Sequence, residues 1–151
     1  MISSNNDSEY VISDDPCLLD VSVIHAFLAN SYWSPGISQL LVERAISISF
    51  CFGVYLHSRQ VGFARVITDK ATFAWLADVF ILEPHRGKGL SKSLVHFIQS
   101  HKELQGLRRF MLATKDAHGL YKQFGFNELS APERMMEIRN QNAYKSSSAC
   151  S

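Results

Sequence analysis

The chain has 151 residues, 46% apolar and 19% charged, with a formal net charge of +1. That is the length of one domain with a sizeable core, and a charge so close to zero leaves no electrostatic footprint for nucleic acid or an acidic membrane surface. No apolar run approaches the about 18 residues of a membrane span, and the first residues lack the charged-then-apolar order of a signal peptide.

In chain order, residues 1–7 and 144–151 are polar and serine-rich and are expected as loose tails around a single domain. Residues 8–13 read as a short edge strand stopped by Asp14-Asp15-Pro16. Asp20 caps a helix to about Asn30, with Val23, Ile24, Phe27 and Leu28 on one face. Ser34-Pro35-Gly36 breaks the chain, and Ser38 starts a second helix to about Ile46. Three strands follow, at 49–56, 61–69 and 72–82, joined by connections short enough for antiparallel neighbours. After Gly87 and Gly89, a helical period in Leu90, Leu94, Phe97, Ile98 and His101 runs to about Glu103. A strand at 109–114, a short helix at 117–124 and a last strand at 134–139 complete the reading. Strand–helix–strand around the glycines implies a parallel pair inside a mostly antiparallel sheet, an α+β fold with about four helices.

The most informative stretch runs from Asp78 to Lys92. A buried strand ends at Pro84, two glycines follow, and a helix begins. Glycines let backbone approach an anion, the first helical N–H groups are unpaired, and the helix dipole is positive there. Arg86, Lys88 and Lys92 add charge, so Arg86-Gly87-Lys88-Gly89-Leu90-Ser91-Lys92 reads as a pyrophosphate loop. It has neither the G-x-x-x-x-G-K-[ST] nor the G-x-G-x-x-G spacing.

It does resemble the Arg-Gly-x-Gly loop of the GNAT acetyltransferases. A second element, from Thr114 through Ala117, Leu120 and Tyr121 to Gly125-Phe126, is similar to that family's late Asn-x-x-Ala-x-x-Leu-Tyr-x-x-x-Gly-Phe segment. The resemblance covers roughly Asp20 to Arg139. It implies the GNAT fold, with a bulged strand splayed from its parallel neighbour, and acetyl-CoA as co-substrate. The cofactor would be held by the loop residues Arg86 to Lys92, by the backbone of Val79, Phe80 and Ile81, and by Thr114. Thr114 stands where the family has Asn, which changes the contact expected to the pantetheine arm. Pro84, Glu83-Pro84 in reversed order, and Ser91 depart from the pattern without removing a backbone donor after Arg86.

Acetyl transfer to an amine needs a neutral nitrogen, a stabilised oxyanion and a protonated leaving thiolate. By the resemblance Tyr121 supplies that proton. Asp78 interrupts an apolar run, where a carboxylate must be paired or face a cavity. It resembles the acidic residue that attracts a cationic amine or relays its proton in polyamine-type members, so Asp78 is expected as a catalytic base and, with Arg65, at the substrate; it could equally pair with Arg65. Tyr32 and Trp33 lie between the first two helices, on the acceptor side of the family's cleft, as a wall or as a hydrophobic staple. His118, three residues before Tyr121, is an alternative base, as is a water.

The six histidines show no ligand spacing and the three cysteines no pairing pattern, so no metal and a reduced cytoplasmic setting are expected. The expectation is a direct-transfer N-acetyltransferase for a small-molecule or peptide amine, with no nucleic-acid or membrane partner and a homodimer left open. Another acyl donor or acceptor, or a non-catalytic CoA-binding module, are the alternatives.

Overall fold

The computed structural model describes the backbone of residues 2–4 and, with side chains, residues 9–145. Six strands form one sheet in sequence order: β1 (Ile2–Ser4), β2 (Tyr10–Ser13), β3 (Phe50–Leu56), β4 (Arg59–Thr68), β5 (Phe73–Ile81) and β6 (Arg109–Leu112). Every neighbouring pair is antiparallel except β5 and β6, which run parallel because helix α3 (Leu90–Gln99) carries the chain across between them. The other helices are α1 (Val21–Ala29), α2 (Gln39–Ser47) and α4 (His118–Lys122).

Strand alternation buries both faces of the sheet. Cys51, Phe63 and Phe80 meet Ile24, Leu28 and Val42 of α1 and α2. Phe52, Val54, Ala64, Val66 and Leu76 meet Leu94, Val95 and Ile98 of α3, together with Tyr121. Both expected caps are present: Asp20 accepts from the Val23 amide at 3.3 Å and Ser38 from the Leu41 amide at 3.2 Å. Each satisfies an orphan N–H of its first turn.

Three expectations need correction. Of the tail expected over 1–7, residues 2–4 form β1 on the edge of β2; the rest of that tail, and the tail at 146–151, lies outside the described residues. The third helix stops at Gln99, four residues early. His101 ends the helical run by accepting the Glu103 amide at Nδ1 (3.1 Å), so its Nε2 carries the hydrogen bonded to Asp14 Oδ2 at 2.7 Å. Buried against Phe50, Phe52 and Phe97, this ring is a core group and not the last rung of an amphipathic helix. The strand expected at 134–139 does not form. Pro132–Arg134 is a single 3-10 turn, and Met136 and Ile138 beyond it are fully exposed. A segment with apolar residues becomes a strand only where an edge and a buried face receive it, and here the outer edge of β6 borders a groove of about 560 Å³.

Among the described residues one buried side-chain group lacks a partner. The Tyr55 hydroxyl has no hydrogen bond among them, and the ring lies over Gly53, where a Cβ would come within 2.2 Å of that oxygen. An unpaired buried hydroxyl costs about 1–3 kcal/mol. Tyr55→Phe is therefore expected to raise stability by about 1 kcal/mol and Tm by about 2–4 °C in a thermal melt. A lowered Tm would mean that the hydroxyl has a partner.

Candidate active site

The glycine loop is built as the sequence predicts. Gly87 and Gly89 sit at φ +81° and +76°, and a Cβ on either would meet nothing within 4 Å. The space above this backbone is open. The first helical bond of α3 runs from the Ser93 amide to the Gly89 carbonyl at 3.0 Å, so the amides of Leu90, Ser91 and Lys92 precede it and have no helical acceptor. They border a cavity of about 180 Å³ that Gly87, Gly89, Ser91 and Lys92 line, with Lys88 exposed beside it. Arg86 differs from expectation. Its amide donates to the Glu83 carbonyl at 3.1 Å and its Nε to the Ile81 carbonyl at 2.8 Å. It braces the base of the loop, and the amides from Gly87 to Lys92 have no acceptor among the described residues.

The bulge lies one turn upstream of the loop. Phe63 pairs with Phe80 and Arg65 with Ala77, so Ala64 alone opposes both Asp78 and Val79. Asp78 takes φ +56°, a left-handed conformation that Asp and Asn enter more readily than other side chains with a Cβ. Pairing of β5 with β6 ends at Leu76 and Leu112. Beyond that point a gap of about 300 Å³ opens, lined by Trp33, Asp78, Val79, Thr114, Asp116 and Tyr121 among others. The Leu82 amide donates to the Val61 carbonyl of β4 at 2.8 Å. With a period of two, Phe80 also faces β4, and Val79 and Ile81 face the gap. Of the three backbone positions expected to serve the cofactor, Phe80 is thus committed to β4.

Asp78 is both paired and cavity-facing. Its Oδ2 accepts from Arg65 Nε at 2.8 Å and its Oδ1 from Trp33 Nε1 at 2.8 Å, while it lines the gap and a neighbouring cavity. The Asp78 side chain is 12% exposed and that of Arg65 18%. Arg65 Nη1 also donates to Ser49 Oγ at 3.2 Å, a partner that no motif announces. Trp33 stands edge-to-face with Tyr32 at 5.1 Å, and the Tyr32 hydroxyl accepts the Lys115 amide at 3.2 Å. Behind them Phe27 stacks on Phe80 at 4.0 Å. The loop between α1 and α2 is therefore tied to both sides of the gap. Because Asn shares the left-handed tolerance of Asp, Asp78→Ala is expected to be less stable than Asp78→Asn by about 1–2 kcal/mol in denaturant titration. Equal stability of the two would show that the bulge relaxes.

Tyr121 is buried, its ring edge-to-face with Phe126 at 5.8 Å, and it lines the gap. Burial, with a smaller effect from Tyr32, pushes its phenol up to about 12. The hydroxyl is therefore protonated throughout the neutral range. The proton is bound more tightly folded than unfolded, so the corresponding stability is present below about pH 10 and is lost as pH rises toward 12. Thr114 Oγ1 accepts the Ala117 amide at 3.0 Å, which holds the turn into α4 and leaves its hydroxyl hydrogen to donate. His118 is exposed and lines the groove beside β6, not the gap.

Residues 47–128, more than half of the chain, match the model of the acetyltransferase (GNAT) domain. The chain belongs to the GNAT acetyltransferases. A protein of Gibberella zeae, named provisionally as an acetyltransferase, is 33% identical over 144 residues, 80% of each chain. A GNAT-family protein of Xanthomonas campestris pv. campestris, likewise provisional in its activity, superposes with TM-score 0.89 at 48% identity, covering 92% of this chain and 99% of its own. At 11% identity, a protein of Clostridium acetobutylicum, provisional as an acetyltransferase and solved with acetyl-CoA, shares the fold alone, with TM-score 0.62 over 92% and 96% of the two chains. Among the described residues, no helix is long and apolar enough to cross a membrane, and no group of three or more His, Cys, Asp or Glu side chains is placed to hold a metal.

Proposed function

We propose that this acetyltransferase moves an acetyl group from acetyl-CoA to a primary amine, with both bound at once. The observation that carries the reading is continuity: the glycine loop, the gap past Leu76 and Leu112, and Tyr121 follow one another along the C-terminal end of β5. The fit to CoA rests on the open space above Gly87 and Gly89 and on the unpaired amides beyond them. In this reading those amides and Lys92 hold the pyrophosphate, while Val79, Ile81 and the Thr114 hydroxyl line the way for the pantetheine arm. Acetyl-CoA supplies the activated acyl carbon.

The residues then have separate tasks. The N–H groups of Val79 and Ile81 are free of β4 and can donate to the acyl oxygen. The amine lone pair forms the new N–C bond as the C–S bond breaks toward sulfur. Tyr121 gives its proton to that sulfur, and the proton released by the nitrogen returns to the phenolate through water. Asp78 has both oxygens engaged by Trp33 and Arg65, so it positions the wall of the site, and water is left as the base. No acyl-cysteine is needed. Burial pushes the Cys51 thiol up to about 12, and Cys17 lines none of these cavities. Reduced thiols and the use of acetyl-CoA favour a cytoplasmic setting.

Calorimetry with CoA, followed by acetyl-CoA turnover against a panel of amines, tests the reading. Micromolar binding with amine-dependent release of CoA is the expected result. No binding at millimolar CoA would end it, and binding without turnover on any amine would leave a regulatory module.

A further inference from the structure

The cavity on the other side of the Trp33–Asp78 wall has a volume of about 670 Å³. Trp33, Ala77 and Asp78 border both it and the gap between β5 and β6, so a molecule seated in it ends at the place where the acyl group would lie. Its body is apolar, built from Leu28, Ile37, Val42, Ile46 and Phe63. Among the described residues, its charged lining consists of Arg44, Arg65 and Asp78. The Asp78 charge is met by Arg65 at 2.8 Å, which leaves the cavity with one excess positive charge.

That excess has identifiable donors. Arg65 spends Nε on Asp78 and Nη1 on Ser49, and its Nη2 makes no hydrogen bond among the described residues. The guanidinium of Arg44, in the last turn of α2, has no ion-pair or hydrogen-bond partner among them either. A cavity of this kind disfavours a second cation, against the expectation of a polycationic acceptor raised by Asp78. A guanidinium with free N–H groups is matched to a carboxylate, which it can hold with two parallel hydrogen bonds.

We propose that the acceptor is an amine that also carries a carboxylate on an apolar body, the chemistry of a free apolar α-amino acid. It rests on the acetyl-transfer reading, in which an amine is the nucleophile. The carboxylate meets Arg44 and the free side of Arg65, the apolar side chain fills the space between α1, α2 and β4, and the amine is directed at the Asp78 boundary.

The test is calorimetric titration of the full-length protein, with and without saturating CoA, using matched pairs: leucine against isoamylamine, and phenylalanine against phenethylamine. Leucinamide serves as the mimic of a peptide N-terminus. Hydrogen bonds to charged groups carry enough free energy for about a 10-fold difference or more. The amino acids are therefore expected to bind at least about 10-fold more tightly than their carboxylate-free twins and than leucinamide. Arg44→Gln is expected to shrink that ratio to near one while CoA affinity stays unchanged. Twins or leucinamide binding as tightly as leucine, a ratio unaffected by Arg44→Gln, or no binding of any of them would overturn the proposal. Acetylation is followed separately. Leucine that binds with this preference but is not acetylated would keep the carboxylate-binding cavity and overturn the amino acid as acceptor, whereas acetylation of isoamylamine but not leucine would overturn the proposal and leave acetyl transfer standing.

Discussion

Tyr121→Phe is expected to lower turnover by about 10²–10⁴-fold, the usual worth of a positioned general acid. The loss should fall on kcat rather than on KM, because the hydroxyl contributes when the thiolate departs and not when substrate binds. CoA affinity, measured by calorimetry, should stay within about twofold. The ring keeps its place beside Phe126, and the hydroxyl removed has no hydrogen bond among the described residues, so the melting temperature should hardly move. A tyrosine that served only packing would show the reverse, with activity kept. Near wild-type turnover on a true acceptor would remove Tyr121 from the reaction. With its phenol pushed up to about 12, the wild-type kcat should also show no descending alkaline limb assignable to this group below about pH 10.

A comparable loss, this time in binding, is expected from Gly89→Val. A side chain at Gly89 projects into open space, which is where an anion held by the loop would lie. Losing even two hydrogen bonds to a charged group, about 1.5 kcal/mol each or more, weakens CoA by about 100-fold. Valine at φ +76° is also strained, by roughly 1–2 kcal/mol. Gly106 separates the two effects. It has φ +73° and equally open surroundings but lines none of the cavities described above. Gly106→Val should show the same fall in stability with CoA affinity unchanged. If both variants lose CoA alike, the loop at 86–92 is not the pyrophosphate site.

What the sequence makes legible follows from how local each signal is. Caps such as Asp20 and Ser38, the glycine loop and the start of the helix after it depend on neighbours a few residues away, and all are found where expected. The strand at 134–139 is not, because its apolar side chains say nothing about whether an edge will take it up. His101 continues a helical period, yet its place is decided by Asp14, 87 residues away in sequence. At the site, Asp78, Arg65 and Trp33 are readable as unusual residues. That one carboxylate joins the other two is a long-range fact, as is the exclusion of His118 from the gap. Arg44 gave no sequence signal at all. A solvated arginine near a helix C-terminus is ordinary, and only the cavity beside it raises a question.

The extra residue in β5 resets which side of the sheet each later residue addresses. Before it, Ala74 and Leu76 point into the layer beneath α3; after it, Val79 and Ile81 do, and Phe80 turns toward α1. The even positions hand their duty to the odd ones. Deleting one residue at 78 or 79 would leave Phe80 opposite Phe63 and Ile81 opposite Gly62 on their present faces, but would close the bulge into a regular ladder. Every chemical group of the loop would stay, and only the spare length of backbone that bends β5 would go. This stretch behaves like slack left in a seam: taking it in straightens the seam without exchanging the two sides.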